Sequence, residues 1–218
     1  MKYRELIDLV DEGENIQCEF KRKFSTPVKI ARELIAFANT KGGFVLFGID
    51  DDKKIIGVES EKETTELVNN TAQNMCEPPV EILIDYKEVD GKEIVIVEVP
   101  ESKLKPHRIQ DYKSELEIKT AEVTIRVNDK SVLASKEMIR ILRSQTNQLA
   151  LKKYIIGLTE KTVFDYLSKT ERISVKELSN LVNISERRAS RTLVKMVRAG
   201  LLMIHTKDNG EEFFTAAQ

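Results

Sequence analysis

Two sets of residues have types and spacings that could do chemistry. The first lies near the end of the chain, where Ser185 opens an apparent helix. At about 100° per residue, Arg187, Arg191, Lys195 and Arg198 fall within about 80° of one another, with Arg188 at the edge. Ala189, Leu193, Met196 and Val197 fall on the opposite side, and no acid interrupts residues 187–198. A helix in the DNA major groove needs cations for phosphates and forked donors for guanine edges, and arginine supplies both. In the hairpin that follows, Lys207 adds a cation, whereas Glu211 and Glu212 would repel phosphate. The plainer alternative is a solvated basic face on a small dimerisation domain.

The second set is acidic. Glu14 and Glu19 flank the start of a predicted strand, and Asp50, Asp51 and Asp52 end a later one. If those strands are neighbours, the carboxylates converge beside Lys21. Carboxylates bind hard cations such as Mg²⁺ or Mn²⁺, which can activate water and stabilise the leaving oxygen in phosphodiester cleavage. Lys21 shares a strand face with Glu19, predicted to look into solvent, and could stabilise developing negative charge. The alternative is a set of solvated acids, with Asp50–Asp52 as turn residues.

The elements that must position these groups follow from periodicity. Ile16, Cys18 and Phe20 alternate with Gln17, Glu19 and Lys21, a half-buried strand with Cys18 inward. Thr26-Pro27 is a helix start, and Ile30, Leu34, Ile35 and Ala38 repeat at helical spacing. That helix ends at Gly42-Gly43, before an apolar strand over 44–49. A helix is predicted over 64–75, stopped by Pro78-Pro79. A hairpin over 80–86 and 94–99 turns at Asp90-Gly91. Strands over 116–119 and 123–127 and a helix over 135–143 complete a domain assigned to residues 1–145, with a linker over 146–157. Residues 158–218 then read as three short helices and a hairpin. Ser174 with Glu177 forms a capping box, and Asn209-Gly210 makes the hairpin turn. This is the order of a winged helix-turn-helix. The predicted fold class is α+β, a mixed domain followed by a small winged helix-turn-helix domain.

Composition excludes several classes. The 218 residues carry 35 Lys+Arg against 36 Asp+Glu, net −1, so this is no polybasic coat protein. The two cysteines, Cys18 and Cys76, form no C-x-x-C pair, which argues against a disulfide framework or a Cys-rich zinc site. No apolar run approaches membrane-spanning length, and the first residues do not read as a signal peptide, so a cytoplasmic protein with no membrane partner is expected. His107, beside Lys103, Lys105 and Arg108, is read as part of a solvated loop that could touch phosphate.

Several of these blocks resemble a known family. They are Glu14 to Lys21, the run from Ile35 through Asn39, Thr40, Gly42, Gly43 and Gly48 to Asp51, and Ile56-Gly57-Val58. The Glu77-Pro78-Pro79 stop, the Val95–Pro100 strand, Pro106 and the segment from Ile125 to Ser135 also fit. Together they resemble the Schlafen-type Alba-like domain, once called "divergent AAA", over roughly residues 10–143. The resemblance implies nucleic-acid binding, and bacterial chains that add a winged helix are usually regarded as transcriptional regulators. It also implies an alternative, a metal-dependent endoribonuclease. Its two glutamates would be Glu14 and Glu19, and its aspartate Asp50 or Asp51. The zinc-binding cysteines and histidine of animal Schlafens have no counterpart here. ATP is not expected, because no Lys-Ser/Thr follows the second glycine of a G-x-x-x-x-G block. Duplex DNA is the favoured partner and RNA the alternative. A homodimer is expected, since two copies would restore the paired lobes of the animal enzymes.

Overall fold

A computed structural model describes residues 1–146 and 154–217 and shows an α+β chain. It divides into two compact units, Met1–Leu133 and Ala134–Gln218. The middle of the linker expected over 146–157, residues 147–153, lies outside the described residues.

The first unit is built on a four-stranded sheet. Its strands are β1 (Cys18–Lys21), β2 (Gly43–Phe47), β4 (Leu83–Val89) and β5 (Lys92–Val99), in the order β1-β2-β5-β4. β1 runs parallel to β2, and the other pairs are antiparallel. A parallel pair needs a crossover, which is α2 (Pro27–Asn39), capped by the Thr26 hydroxyl with Pro27 in its first turn. α1 (Tyr3–Glu12) and α3 (Glu61–Asn74) complete the layers.

Helices cover both faces, so β2 and β5 are apolar on both sides. Val45, Phe47, Val95 and Val97 pack with Ile30, Leu34 and Phe37 of α2 and Val68 of α3. Leu46, Ile94 and Ile96 pack with Leu6 and Val10 of α1 and with Cys18 and Phe20. The Asp90-Gly91 turn between β4 and β5 has positive φ at both residues, as a two-residue hairpin turn with native twist requires.

Two further strand pairs are short. β3 (Cys76–Glu77) pairs with β6 (Arg108–Ile109), and β7 (Thr124–Val127) pairs with β8 (Lys130–Leu133). β7 is the strand expected over 123–127, whereas β3, β6 and β8 gave no sequence signal. The strand expected over 116–119 is a turn instead, because Lys113 bonds Glu117 and Thr120 locally. Asp50–Asp52 form a turn, in which the Asp50 carboxylate accepts the Lys54 N–H at 3.0 Å.

The second unit holds α4 (Lys136–Thr146), α5 (Leu158–Leu167), α6 (Val175–Leu181), α7 (Glu186–Arg198), β9 (Leu202–Thr206) and β10 (Glu212–Ala216). Val163, Leu178, Ala189, Leu193, Met196 and Phe214 form its core. From α5 onward this is the element order predicted for a winged helix-turn-helix. Asn183 makes the α6–α7 turn at φ 49°, a conformation asparagine tolerates. Ser185 then caps α7.

The boundary between the units also differs from the sequence reading. α4, grouped there with residues 1–145, belongs to the second unit. Its Glu137 accepts a short hydrogen bond from Ser190 on the inner side of α7, and Arg140 donates to the same hydroxyl at 3.2 Å. A serine within a basic helix gives no sequence signal for this partner.

Candidate nucleic-acid interface

α7 separates its residues as its periodicity requires. Ala189, Leu193 and Met196 are fully buried, while Arg187, Arg188, Arg191 and Lys195 are exposed. These four line an open groove with Ser185, Thr192 and the first turn of α5. None of the four has an acidic partner among the described residues. Among the described residues the one acid lining the groove, Glu160, is already bonded to the Tyr154 hydroxyl at 2.9 Å and the Gly157 N–H at 3.0 Å. Arg198, in the last turn, is half-buried and already engaged, unlike the other four. Lys207 is also committed, since its ammonium lies 3.0 Å from Glu211.

β10 contributes an unusual acid. Glu212 is bonded by the Ser135 hydroxyl at 2.6 Å, with Glu137 nearby. Burial, reinforced by Glu137, pushes its pKa up to about 7. That folded value lies above the unfolded 4.5. The associated stability is therefore fully present below pH 4.5 and is lost as pH rises through 7. Glu212→Gln is expected to flatten this dependence. It should stabilise the second unit at pH 8 by about 1–3 kcal/mol, allowing for partial solvent access. Parallel pH–stability curves for variant and wild type would refute the assignment.

In the first unit Glu14 lies within electrostatic range of Glu19, Lys21 and Asp51, but Glu19 is already engaged. Glu19 is 7% exposed, not solvent-facing. Its carboxylate takes a short bond from Lys21 and a 2.8 Å bond from Arg126, whose side chain is fully buried. Glu33 of α2 joins the network, 3.3 Å from Arg126 and 3.9 Å from Lys21, with a short bond from Ser131. Arg126 also donates to the Asn15 carbonyl at 2.7 Å and lies over the Phe37 ring at 4.7 Å. Burial, with the Glu19 charge, raises the Glu33 pKa.

Glu14 is used differently. It accepts the Phe20 N–H at 2.8 Å, and burial raises its pKa. Asp50 is held in its turn, and Asp51 is exposed. The residues therefore do not fit Mg²⁺ or Mn²⁺. Arg126 and Lys21 neutralise Glu19, and no group of three or more His, Cys, Asp or Glu among the described residues is arranged to hold a metal ion.

Sequence reasoning missed Glu33 and Arg126. One signal was available: an arginine inside the short apolar strand β7 must be paired if it is buried.

The glycine-rich block holds this network in place. Asn39 donates to the His107 and Thr124 carbonyls at 2.9 and 3.0 Å and accepts the His107 N–H at 2.8 Å. Thr40 accepts the Arg126 N–H at 2.9 Å. At Gly42, φ is +70°, and a Cβ would lie 2.6 Å from the Val99 carbonyl. At Gly43 a Cβ would meet the Phe37 ring, the surface that carries Arg126, at 2.6 Å. These glycines permit close packing of backbone and ring. His107, expected in a solvated loop, is 1% exposed. It bonds the Pro78 carbonyl and the Ser102 hydroxyl, and burial lowers its pKa.

Comparison with known proteins places this arrangement. The family described as Schlafen, AlbA_2 matches residues 14–135, more than half of the chain and the whole Arg126 network. Among solved structures, the chain is similar to the N-terminal domain of a protein related to the ATP-dependent DNA helicase RecG from Nitrosomonas europaea. The identity is 25% and the TM-score 0.42, over 50% of this chain and 81% of that one. It is also similar to the DIP2311 protein from Corynebacterium diphtheriae, at 21% identity and TM-score 0.43, over 61% of this chain and 28% of that one. No helix among the described residues is long and apolar enough to cross a membrane.

Proposed function

Since this chain belongs to the Schlafen AlbA_2 family, we propose that it is a nucleic-acid-binding protein that reads duplex DNA through a winged helix in its second unit and acts in transcriptional regulation. The observation that carries the reading is the α7 face. Four exposed cations stand side by side without acidic partners among the described residues, opposite a buried face formed by Ala189, Leu193 and Met196. Leaving like charges clustered and unpaired disfavours the folded chain, and a polyanion compensates for it. Arg187, Arg188 and Arg191, at the N-terminal end of the helix, are the base-reading candidates, and Lys195 holds the phosphate backbone. Binding to a palindromic site by two copies follows from the same reading.

Binding is favoured over cleavage because Arg126 and Lys21 occupy Glu19. The test is to incubate the full chain with duplex DNA and structured RNA, with and without Mn²⁺, and run native and denaturing gels. Shifted, intact duplex is expected, with affinity falling as salt rises by a log–log slope of about −0.9 per phosphate engaged. Mn²⁺-dependent strand scission would replace this reading with a nuclease.

A further inference from the structure

The hairpin of the second unit carries a stacked assembly that the α7 face does not involve. Ile173 bridges to Phe214 through two backbone hydrogen bonds of 2.9 and 2.8 Å, and both side chains are fully buried. Strand alternation sends their neighbours, Arg172 and Phe213, to the opposite, outer side. There the Arg172 guanidinium lies over the Phe213 ring, 5.5 Å from its centroid. On the hairpin itself, His205 is paired directly across from Phe213, with ring centroids 5.0 Å apart and planes within 11°. A hydrogen bond of 2.9 Å with the Thr215 hydroxyl fixes the imidazole. The result is a column of guanidinium, phenyl and imidazole.

Arg172 is exposed and has no acidic ion-pair partner among the described residues. The nearby acid, Glu211, is taken by Lys207.

We propose that Arg172, held over Phe213 and backed by His205, is the phosphate contact on the hairpin side of the duplex that α7 reads. This rests on the DNA-binding reading above and assigns the role expected of Lys207 to a different residue. A guanidinium over an aromatic face keeps its in-plane N–H donors free, and these match a phosphate in a two-pronged contact. The ring limits the rotamers of a long side chain, so less freedom is lost when phosphate arrives. Lys207 lacks this availability, because its charge is already matched.

The test uses the full chain and a duplex titrated across salt concentrations. Arg172→Gln is expected to weaken binding on the order of tenfold and to reduce the salt slope by about one phosphate. Arg172→Lys restores the slope but only part of the affinity, because an ammonium cannot make the two-pronged contact. Phe213→Leu weakens binding with the slope unchanged, since it removes the platform and keeps the charge. Lys207→Gln changes affinity by less than about twofold. Unchanged affinity and slope in Arg172→Gln, alongside loss of binding in Arg187→Ala/Arg191→Ala, would overturn the assignment and leave the DNA-binding reading intact. Failure of the wild-type chain to bind duplex at any salt would overturn both.

Discussion

Arg187→Ala/Arg191→Ala is expected to lower duplex affinity about a hundredfold at moderate salt while leaving the melting temperature unchanged. Removing a base-reading side chain costs about 1–3 kcal/mol, and removing a phosphate-binding one reduces the salt slope by about one unit. The two effects separate the roles: relaxed preference among duplex sequences marks base reading, and uniform weakening marks backbone holding. Both side chains are exposed and lack acidic partners among the described residues, so the fold has little to lose. Lys195→Gln should weaken binding to all sequences alike and by less. Unaltered affinity in the double variant would mean that the basic face is merely solvated. A fragment used for this measurement should begin at residue 134, because α4 packs against α7 through Ser190.

Arg126→Ala carries the largest expected stability effect. It removes the buried guanidinium from Glu19 and Glu33 and leaves the Asn15 carbonyl without its 2.7 Å donor. Removing one partner from a buried ion pair typically costs about 3–5 kcal/mol, because the remaining charge is left in a poorly solvated site. The penalty belongs to ionised carboxylates, so it should depend on pH. Even with Arg126 present, burial and Glu19 hold the Glu33 pKa above 4.5. Without Arg126 the Glu33 value rises further. The destabilisation should then be full at pH 7 and shrink towards pH 4.5, as Glu33 takes up a proton in the folded state. Urea melts of variant and wild type at pH 7 and pH 4.5 measure the difference. An equal loss at both would assign the effect to the cavity left behind.

Patterns repeated within one element were readable in the sequence. The Thr26-Pro27 start, the Ser174 and Ser185 caps, the Asp90-Gly91 turn and the two-sided character of α7 all appear in the structure. Each is set by residues a few positions apart. What escaped was set by distance along the chain. Arg126 meets a carboxylate 107 residues away, and no periodicity encodes that. The same cause misplaced Glu19, because alternation puts it on the polar side of β1 and the cover comes from Arg126 on a strand distant in sequence. His107 is buried for a similar reason: the backbone bonds that hold it come from Asn39, 68 positions earlier. The short strands β3, β6 and β8 contain too few residues to show a period of two. The glycine-rich block was legible as a turn, but its service to Arg126 through Phe37 and Thr40 was not.

The position of β1 gives the Glu14 hydrogen bond a further meaning. β1 is an outer strand of its sheet. It pairs with β2 through the carbonyls of Gln17 and Lys21, which leaves the Cys18 and Phe20 backbone groups on the free side. An open strand edge is a template on which another chain can polymerise. Here Asn15 pairs with both backbone groups of Cys18, and Glu14 takes the Phe20 N–H. The loop before the strand folds back and closes the edge with its own atoms. A second molecule would have to displace Glu14 and Asn15 before adding a strand there. Joining copies of this unit into one continuous sheet through β1 therefore requires that its own loop first be peeled away.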